Sequence, residues 1–373
     1  MKSYKHLWES FISDENIELA MKNACVNKRS KRKRKKLREI YENKEVWMPK
    51  IRKIAKNFKN SPHTPIEIYD GISRKKRTII VPTVIEQIIH HMVVNVMKPI
   101  FMKGMYEHSY DSVPDRGGQK AKKQIQKWIK RDKKNVKYCL KMDIRKYFDS
   151  IPHDILKKKF AKIIKDNKFL NLIYKIIDVS EKGIPLGFYT SQWFANWYLQ
   201  DLDHFIKEIL CAKYYVRYVD DMVIFGSNKK VLHKIREEIS NYLQHNLGVV
   251  MKSNYQVFRF DYIRGNKHYG RHLDFLGFRF YRDRVTLRKS IMLKATRKAK
   301  RISKKIKMTI YDAKQILAYL GWLKCTDTYN MYIKWIKPFI SFQNSKKIVS
   351  IHDKMEAKKK NDLESYREYM QAA

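Results

Sequence analysis

Acidic residues are the first thing this 373-residue chain is short of: 37 Asp and Glu stand against 81 Lys and Arg, a formal net charge of +44. A chain charged so heavily in one sense repels itself at neutral pH unless a polyanion offsets it. Nucleic acid is therefore the first partner expected, and an anionic membrane surface the second. Long apolar runs are missing too. The longest mostly apolar stretch, residues 88–101, is too short to span a bilayer and carries His90, His91 and Lys98, so no membrane association is expected. Glu9 and Asp14 fall where a secretory leader needs an uninterrupted apolar core, which argues against a signal peptide. Cysteine is sparse: Cys25, Cys139, Cys211 and Cys325 lie far apart without a CxxC pair. That excludes the usual zinc spacings and a disulfide framework, and suits reduced thiols in a cytoplasm. No internal repeat is present.

What is there is a set of acids in apolar surroundings. Tyr214-Tyr215-Val216-Arg217-Tyr218 and Met222-Val223-Ile224-Phe225 flank Val219-Asp220-Asp221, and Gly226-Ser227-Asn228 closes the second arm. The pattern predicts a buried hairpin with carboxylates at its tip. An Asp-Asp pair alone is ordinary turn chemistry. A buried carboxylate, however, is costly unless a cation or hydrogen bonds compensate it. A second acid changes the reading. Residues 136–143 alternate apolar with mostly polar side chains and end on Asp143, as a half-buried strand with a terminal carboxylate would. Carboxylates brought together from separate strands suit a pair of Mg²⁺ ions, which take oxygen ligands and are completed by substrate phosphates. Such a site performs phosphoryl transfer.

The rest of the chain supplies basic faces and loops. Among residues 28–38, nine of eleven are Lys or Arg, a run that serves either phosphate contact or a solvated helix face. Residues 66–82 read as two short strands joined by a Gly-containing turn, the second entered through Arg74, Lys75, Lys76 and Arg77. These four can hold a triphosphate or simply lie on an exposed turn. An apolar-faced helix over 85–97 is followed by a turn-rich loop containing Arg116, then by a basic helix over 119–131 with Ala121, Ile125, Trp128 and Ile129 facing inward. Pro185 and Gly187 predict a loop, and Thr190 or Ser191 a cap for the helix that carries Phe194, Tyr198, Leu202 and Phe205. An amphipathic helix over 231–247 leads to Lys252, and Phe275-Leu276-Gly277 lies in a hairpin over 272–280, where glycine permits close backbone approach.

These motifs, in this order, resemble the reverse transcriptases. The basic hairpin with Arg77 and Pro82, Pro114-Asp115-Arg116-Gly117, Asp143 with Phe148 five positions on, Gly187 with Ser191, and Tyr-Val-Asp-Asp cover a fingers-and-palm region from about residue 66 to 280. The resemblance implies Asp143 and Asp220 as metal ligands, Asp221 completing the acidic cluster, and Phe148 as a steric gate whose ring leaves no room for a 2′-hydroxyl. It places Lys76, Arg77, Arg116, Leu186, Gly187, Ser191 and Gln192 around the substrates. Lys252 becomes a candidate general acid for the pyrophosphate leaving group, although it also reads as one of many solvent lysines. Phe275, Leu276 and Gly277 would form the primer grip. Most of the family reads Gln-Gly-x-x-x-Ser-Pro where this chain has Leu186-Gly187-Phe188-Tyr189-Thr190-Ser191-Gln192. Both departures resemble the enzymes of diversity-generating retroelements, in which an aliphatic-Gly-x-x-x-Ser-Gln motif goes with adenine-directed infidelity.

The fold expected is α+β, a right hand with fingers, palm and helical thumb. Its expected parts are a basic helical region over 1–60, fingers over 61–135 with helices over 151–182 shared between palm and fingers, palm over 136–285, thumb over 286–345 and a charged tail over 346–373 that lacks a clear apolar stripe and is either partly disordered or a docking tail. The implied partners are an RNA template, the RNA/DNA hybrid, deoxynucleoside triphosphates and a small basic accessory protein. The cofactor is a pair of Mg²⁺ ions, with Mn²⁺ as a substitute. A bacterial antiviral or otherwise domesticated reverse transcriptase is the alternative within the class, with an intron maturase behind it because little chain follows the thumb. A non-catalytic RNA-binding protein on the same scaffold is the alternative outside it.

Overall fold

The computed structural model describes residues 3–26, 31–69 and 76–372. Residues 28–30 of the basic run, together with Arg74, Lys75 and the turn of the basic hairpin, lie outside the described residues. The chain divides into two compact units, Met1–Arg259 and Phe260–Ala373, a boundary that falls inside the span expected for the palm.

In the first unit, β1 (Pro65–Tyr69) and β2 (Lys76–Ile80) form an exposed antiparallel hairpin, with Glu67 opposite Thr78 and Ile68 opposite Arg77. The helix Val84–Met102 follows. Thr83 and Glu86 close a capping box at its start, and Ile88, Ile89, Met92, Val93 and Met97 are fully buried. A helix apolar on nearly every side must be covered on every side. The helices Asp14–Cys25 and Tyr189–Tyr198 do much of that.

The central sheet contains β3 (Ser109–Tyr110), β4 (Tyr138–Met142), β5 (Tyr214–Tyr218), β6 (Asp221–Gly226) and β7 (Gln256–Arg259), in the order β3-β5-β6-β4-β7. Only β3 and β5 run parallel; the other neighbours are antiparallel. Cys139, Leu140, Met142, Val223 and Ile224 are buried, and the helix Lys229–Leu247 covers β4, β6 and β7 through Leu232, Ile239 and Leu243. The largely apolar and aromatic arms of the hairpin thus hold the sheet's middle, and the acids sit where the strands end.

The second unit contains two small antiparallel sheets. β8 (Tyr262–Arg264) pairs with β9 (Lys267–Tyr269), while β10 (Leu273–Phe275), β11 (Phe278–Phe280) and β12 (Val285–Leu287) form a meander. Helices Lys289–Ser303, Ile310–Lys324, Tyr329–Trp335 and Phe342–Ala372 follow. The last of these takes in the charged tail expected from residue 346 and docks, one of the two states expected of that segment. Phe342 and Ser345 are buried and Ile348 and Val349 half-buried, so the stripe that docks the helix on Ile310–Lys324 begins before residue 346 and includes a serine. Hydrophobicity alone does not reveal it. A difference from expectation concerns Thr190 and Ser191. Phe188 occupies the N-cap position without a side-chain cap bond, and Thr190, inside the first turn, instead pairs its hydroxyl with Nδ1 of buried His90 at 3.0 Å. Among the described residues, no helix is long and apolar enough to cross a membrane.

Candidate active site

Strand register assembles the acids. Met142 on β4 lies opposite Met222 on antiparallel β6, so one step forward along β4 and one step back along β6 brings Asp143 to the level of Asp221. The β5–β6 hairpin turns through Val219 and Asp220, with Tyr218 opposite Asp221. Val219 adopts φ 54°, the left-handed region that a two-residue hairpin of this hand asks of its first turn residue. For a β-branched residue that conformation costs about 1–3 kcal/mol and persists only where the surroundings hold it. They do: Arg217, fully buried one residue before Tyr218, donates from Nη1 to the Val219 carbonyl at 2.9 Å.

The carboxylates face one another. Burial first, and then the Asp143 and Asp221 carboxylates, push Asp220 up to about 7. Lys252 donates its ammonium to Asp143 Oδ2, and its backbone N–H to the Asp143 carbonyl at 2.9 Å. Lys141 stands 3.9 Å from Asp221. Asp143 Oδ1 is buried without a hydrogen-bond partner among the described residues. Three half-buried carboxylates, one with an orphaned oxygen and one driven toward its neutral form, make a site short of positive charge. Oxygen-only donors of this kind fit a divalent cation, whose charge would favour the ionised form of Asp220.

A cavity of about 800 Å³ opens over these acids. Lys76, Arg77, Asp143, Phe148, Leu186, Gly187, Ser191, Gln192, Asp220, Asp221 and Lys252 all line it, drawn from parts of the chain far apart in sequence. Two glycines explain how the loop between Phe148 and Leu186 reaches both walls. A Cβ on Gly183, at φ +67°, would lie 2.3 Å from the Phe148 carbonyl oxygen; one on Gly187, at φ +113°, would lie 2.1 Å from that of Ile80. Ile184 N–H donates to the Phe148 carbonyl at 2.8 Å, and Ile80 N–H to the Leu186 carbonyl at 2.7 Å. The loop therefore ties the Phe148 backbone to the basic strand β2. On that strand the Lys76 ammonium pairs with Glu67 at 2.6 Å.

This architecture coincides with a family-level match: residues 59–280 fit the family described as "Reverse transcriptase (RNA-dependent DNA polymerase)". The chain belongs to the reverse transcriptase family. Its fold is accordingly the right-hand polymerase fold, a mixture of helices and sheets. Among relatives, it is 28% identical over 175 residues to the group II intron-encoded protein LtrA of Lactococcus lactis subsp. cremoris, covering 43% of this chain. It is 26% identical over 234 residues to the retron Ec73 reverse transcriptase of Escherichia coli, covering 59% of this chain. The matched region spans 28% of the length of the first relative and 71% of the second. Among solved structures it is similar to apo telomerase from Candida tropicalis, truncated from its C-terminal domain, with a TM-score of 0.45, 18% identity, and coverage of 66% of this chain and 59% of that one.

Some expected residues lie elsewhere. Arg116 does not line the cavity; its Nη1 donates to the Tyr106 carbonyl at 2.7 Å and its backbone closes the 111–116 turn, so it shapes that loop. Phe275, Leu276 and Gly277 belong to the second unit, at the β10–β11 turn, with Leu276 at φ 54° and Gly277 at φ 83°. In that unit Asp261, His268 and Asp283 bring one ligand atom each within 4.8 Å of one another, a group that can hold a metal ion. Arg282 N–H and Arg284 Nη1 already occupy Asp261 and His268 at 2.7 and 2.8 Å. Conversely, the sequence reading overlooked Asp111 and Ser112, both in the cavity wall, and the buried residues Arg217, Asn196 and Asp203 beneath it. An arginine inside the apolar run Tyr-Tyr-Val-Arg-Tyr was the available signal.

Proposed function

We propose that the protein is an RNA-directed DNA polymerase, and more specifically the error-prone enzyme of a diversity-generating retroelement that copies a template-repeat RNA into adenine-mutagenised complementary DNA. The observation that carries the polymerase reading is the meeting, in one cavity, of three carboxylates, an aromatic ring and a basic strand. In this reading Asp143, Asp220 and Asp221 hold two Mg²⁺ ions, or Mn²⁺ in their place. When bound, these lower the pKa of the primer 3′-hydroxyl and neutralise charge on the transferred phosphoryl group. Lys76 and Arg77 take the triphosphate. Phe148 lies under the sugar and excludes a 2′-hydroxyl, and Lys252 supplies a proton to the departing pyrophosphate.

The retroelement assignment rests on Leu186 and Gln192, both of which line the cavity. Leucine lacks the amide with which a glutamine would help hold the templating base, a contact worth about 1 kcal/mol and so several-fold in selectivity at each addition. The family resemblance, not the residues, directs the errors to adenine, and it also brings in a small basic accessory protein. A retron-like antiviral or domesticated enzyme is the second reading, favoured by the extent of the likeness to the Escherichia coli retron enzyme.

The test is to sequence complementary DNA made from one defined RNA, with any accessory protein supplied, by wild type, Leu186→Gln and Leu186→Gln/Gln192→Pro. Wild type should misincorporate most often opposite adenine, and the substitutions should reduce those errors several-fold. Asp143→Ala and Asp220→Ala, as controls, should abolish extension while RNA binding persists. Adenine errors no commoner than others would transfer the assignment to the second reading; undiminished extension by both alanine variants would remove the polymerase site itself.

A further inference from the structure

Beneath the acids lies a buried ion pair that the chemistry described so far does not use. Arg217 and Asp203 are both fully buried. The guanidinium donates from Nε to Asp203 Oδ1 at 2.7 Å and from Nη2 to Oδ2 at 2.5 Å, and Tyr215 donates its hydroxyl to the same Oδ1 at 2.7 Å. Its remaining N–H groups reach the Val219 carbonyl at 2.9 Å, Asn196 Oδ1 at 3.3 Å and the Asn196 carbonyl at 3.2 Å. All five donors of the side chain thus have acceptors.

What the guanidinium holds is the point of interest. Val219 is the left-handed residue of the turn that presents Asp220. Asn196, the second residue held, donates from Nδ2 to the Asp111 carbonyl at 2.9 Å. Asp111 and Ser112 are themselves left-handed, at φ 82° and 53°, and Ser112 Oγ donates to Gln192 Oε1 at 3.3 Å. Two strained turns that line the same cavity are therefore anchored, one directly and one through Asn196, on a single side chain.

We infer that Arg217 is a positioning residue of this polymerase: with Asp203 as its counter-charge and Asn196 as its relay, it fixes the Val219 turn and thereby the placement of Asp220 against Asp143. This rests on the reading of those acids as metal ligands. The role demands a planar fork with several donors in fixed directions, which lysine cannot supply. A residue that merely filled space or balanced Asp203 would not need to reach Val219.

The full chain carrying Arg217→Lys keeps the buried positive charge while losing the fork. Its affinity for Mn²⁺, read from the paramagnetic resonance of the free ion without RNA or nucleotide, should fall about 10–100-fold, as when support for a metal ligand is removed elsewhere. Adding Val219→Gly should recover part of that loss, because glycine adopts the left-handed turn without being held there. Should the lysine variant fail to fold, Arg217→Met/Asp203→Leu removes both charges together and is read in the same way. Thermal melting reports the folded fraction throughout. Wild-type Mn²⁺ affinity in a folded Arg217 variant, or a loss that Val219→Gly leaves unchanged, would overturn the inference. Asp220→Ala separates the two levels: if it binds Mn²⁺ and extends primers as wild type does, the metal-site reading fails; if it is inactive while Arg217→Lys is normal, only the role of Arg217 fails.

Discussion

At the scale of single residues, position matters through what fixes the backbone beneath it. Phe148 follows Tyr147, whose buried hydroxyl donates to the Ala195 carbonyl at 2.6 Å, and its own carbonyl accepts from Ile184. In the proposed reading the ring lies under the sugar, carried on a backbone that these bonds hold in place. Phe148→Ala should therefore relax discrimination against ribonucleotides by about 1–3 kcal/mol, roughly five- to 150-fold in the ratio of ribo- to deoxynucleotide incorporation. An unchanged ratio in single-nucleotide extension assays would exclude Phe148 as the gate. Glu86 carries a different kind of constraint. Burial alone would raise its pKa, but the Ser61 and Thr83 amides, at 2.7 and 2.8 Å, and His63 at 2.9 Å outweigh that and hold it at about 2. A carboxyl depressed from its ordinary 4.5 contributes stability that is complete above that value and is lost as the pH falls toward 2. The share is about 3 kcal/mol. Glu86→Gln should lower the melting temperature at neutral pH and flatten its dependence on pH between 5 and about 2; parallel wild-type and variant curves would contradict this.

At the scale of elements, turns account for most of the distance between sequence and structure. The β10–β11 connection has positive φ at both central residues, the primed turn whose twist suits a two-residue hairpin and whose first position favours Asn, Asp or Gly. Leu276 stands there against that preference. Leu276→Asn should raise the stability of the second unit by about 1 kcal/mol, seen as a higher melting temperature. If the leucine is kept for primer contact, the same variant should extend primers less processively. A variant neither more stable nor less processive would leave Leu276 without either role. The arms of the acidic hairpin and strand β4 were legible in the sequence because apolar alternation and terminal acids are local signals. The Gly183–Gly187 loop was legible as a loop but not as a tie between Phe148 and Ile80, since the close approach of Ile80 is tertiary. Arg217 was visible only as an oddity in a strand. Its five acceptors come from residues 196, 203 and 219, and no spacing rule joins them.

At the scale of the whole molecule, charge is the dominant fact, and it bears on association more than on fold. The helix Gly118–Arg131 shows how the two are kept apart. Ala121, Ile125, Trp128 and Ile129 are buried, whereas Lys120, Lys123, Lys127, Lys130 and Arg131 are exposed. A net +44 arranged on faces of this kind suits contact with phosphates rather than with base edges. Each phosphate neutralised releases condensed counterions, so the logarithm of RNA affinity should fall linearly with the logarithm of salt concentration, by about 0.7 per contact on single strands. Changing Lys120, Lys123 and Lys127 together to Gln removes three such contacts if that face meets the backbone. The slope should then become shallower by about 2, with affinity reduced equally for RNAs of unrelated sequence. Equilibrium binding of two unrelated RNAs across a salt series measures both quantities. An unchanged slope would take this helix out of the interface, and affinity lost for one RNA alone would make the helix a reader of structure or sequence rather than a phosphate-binding face.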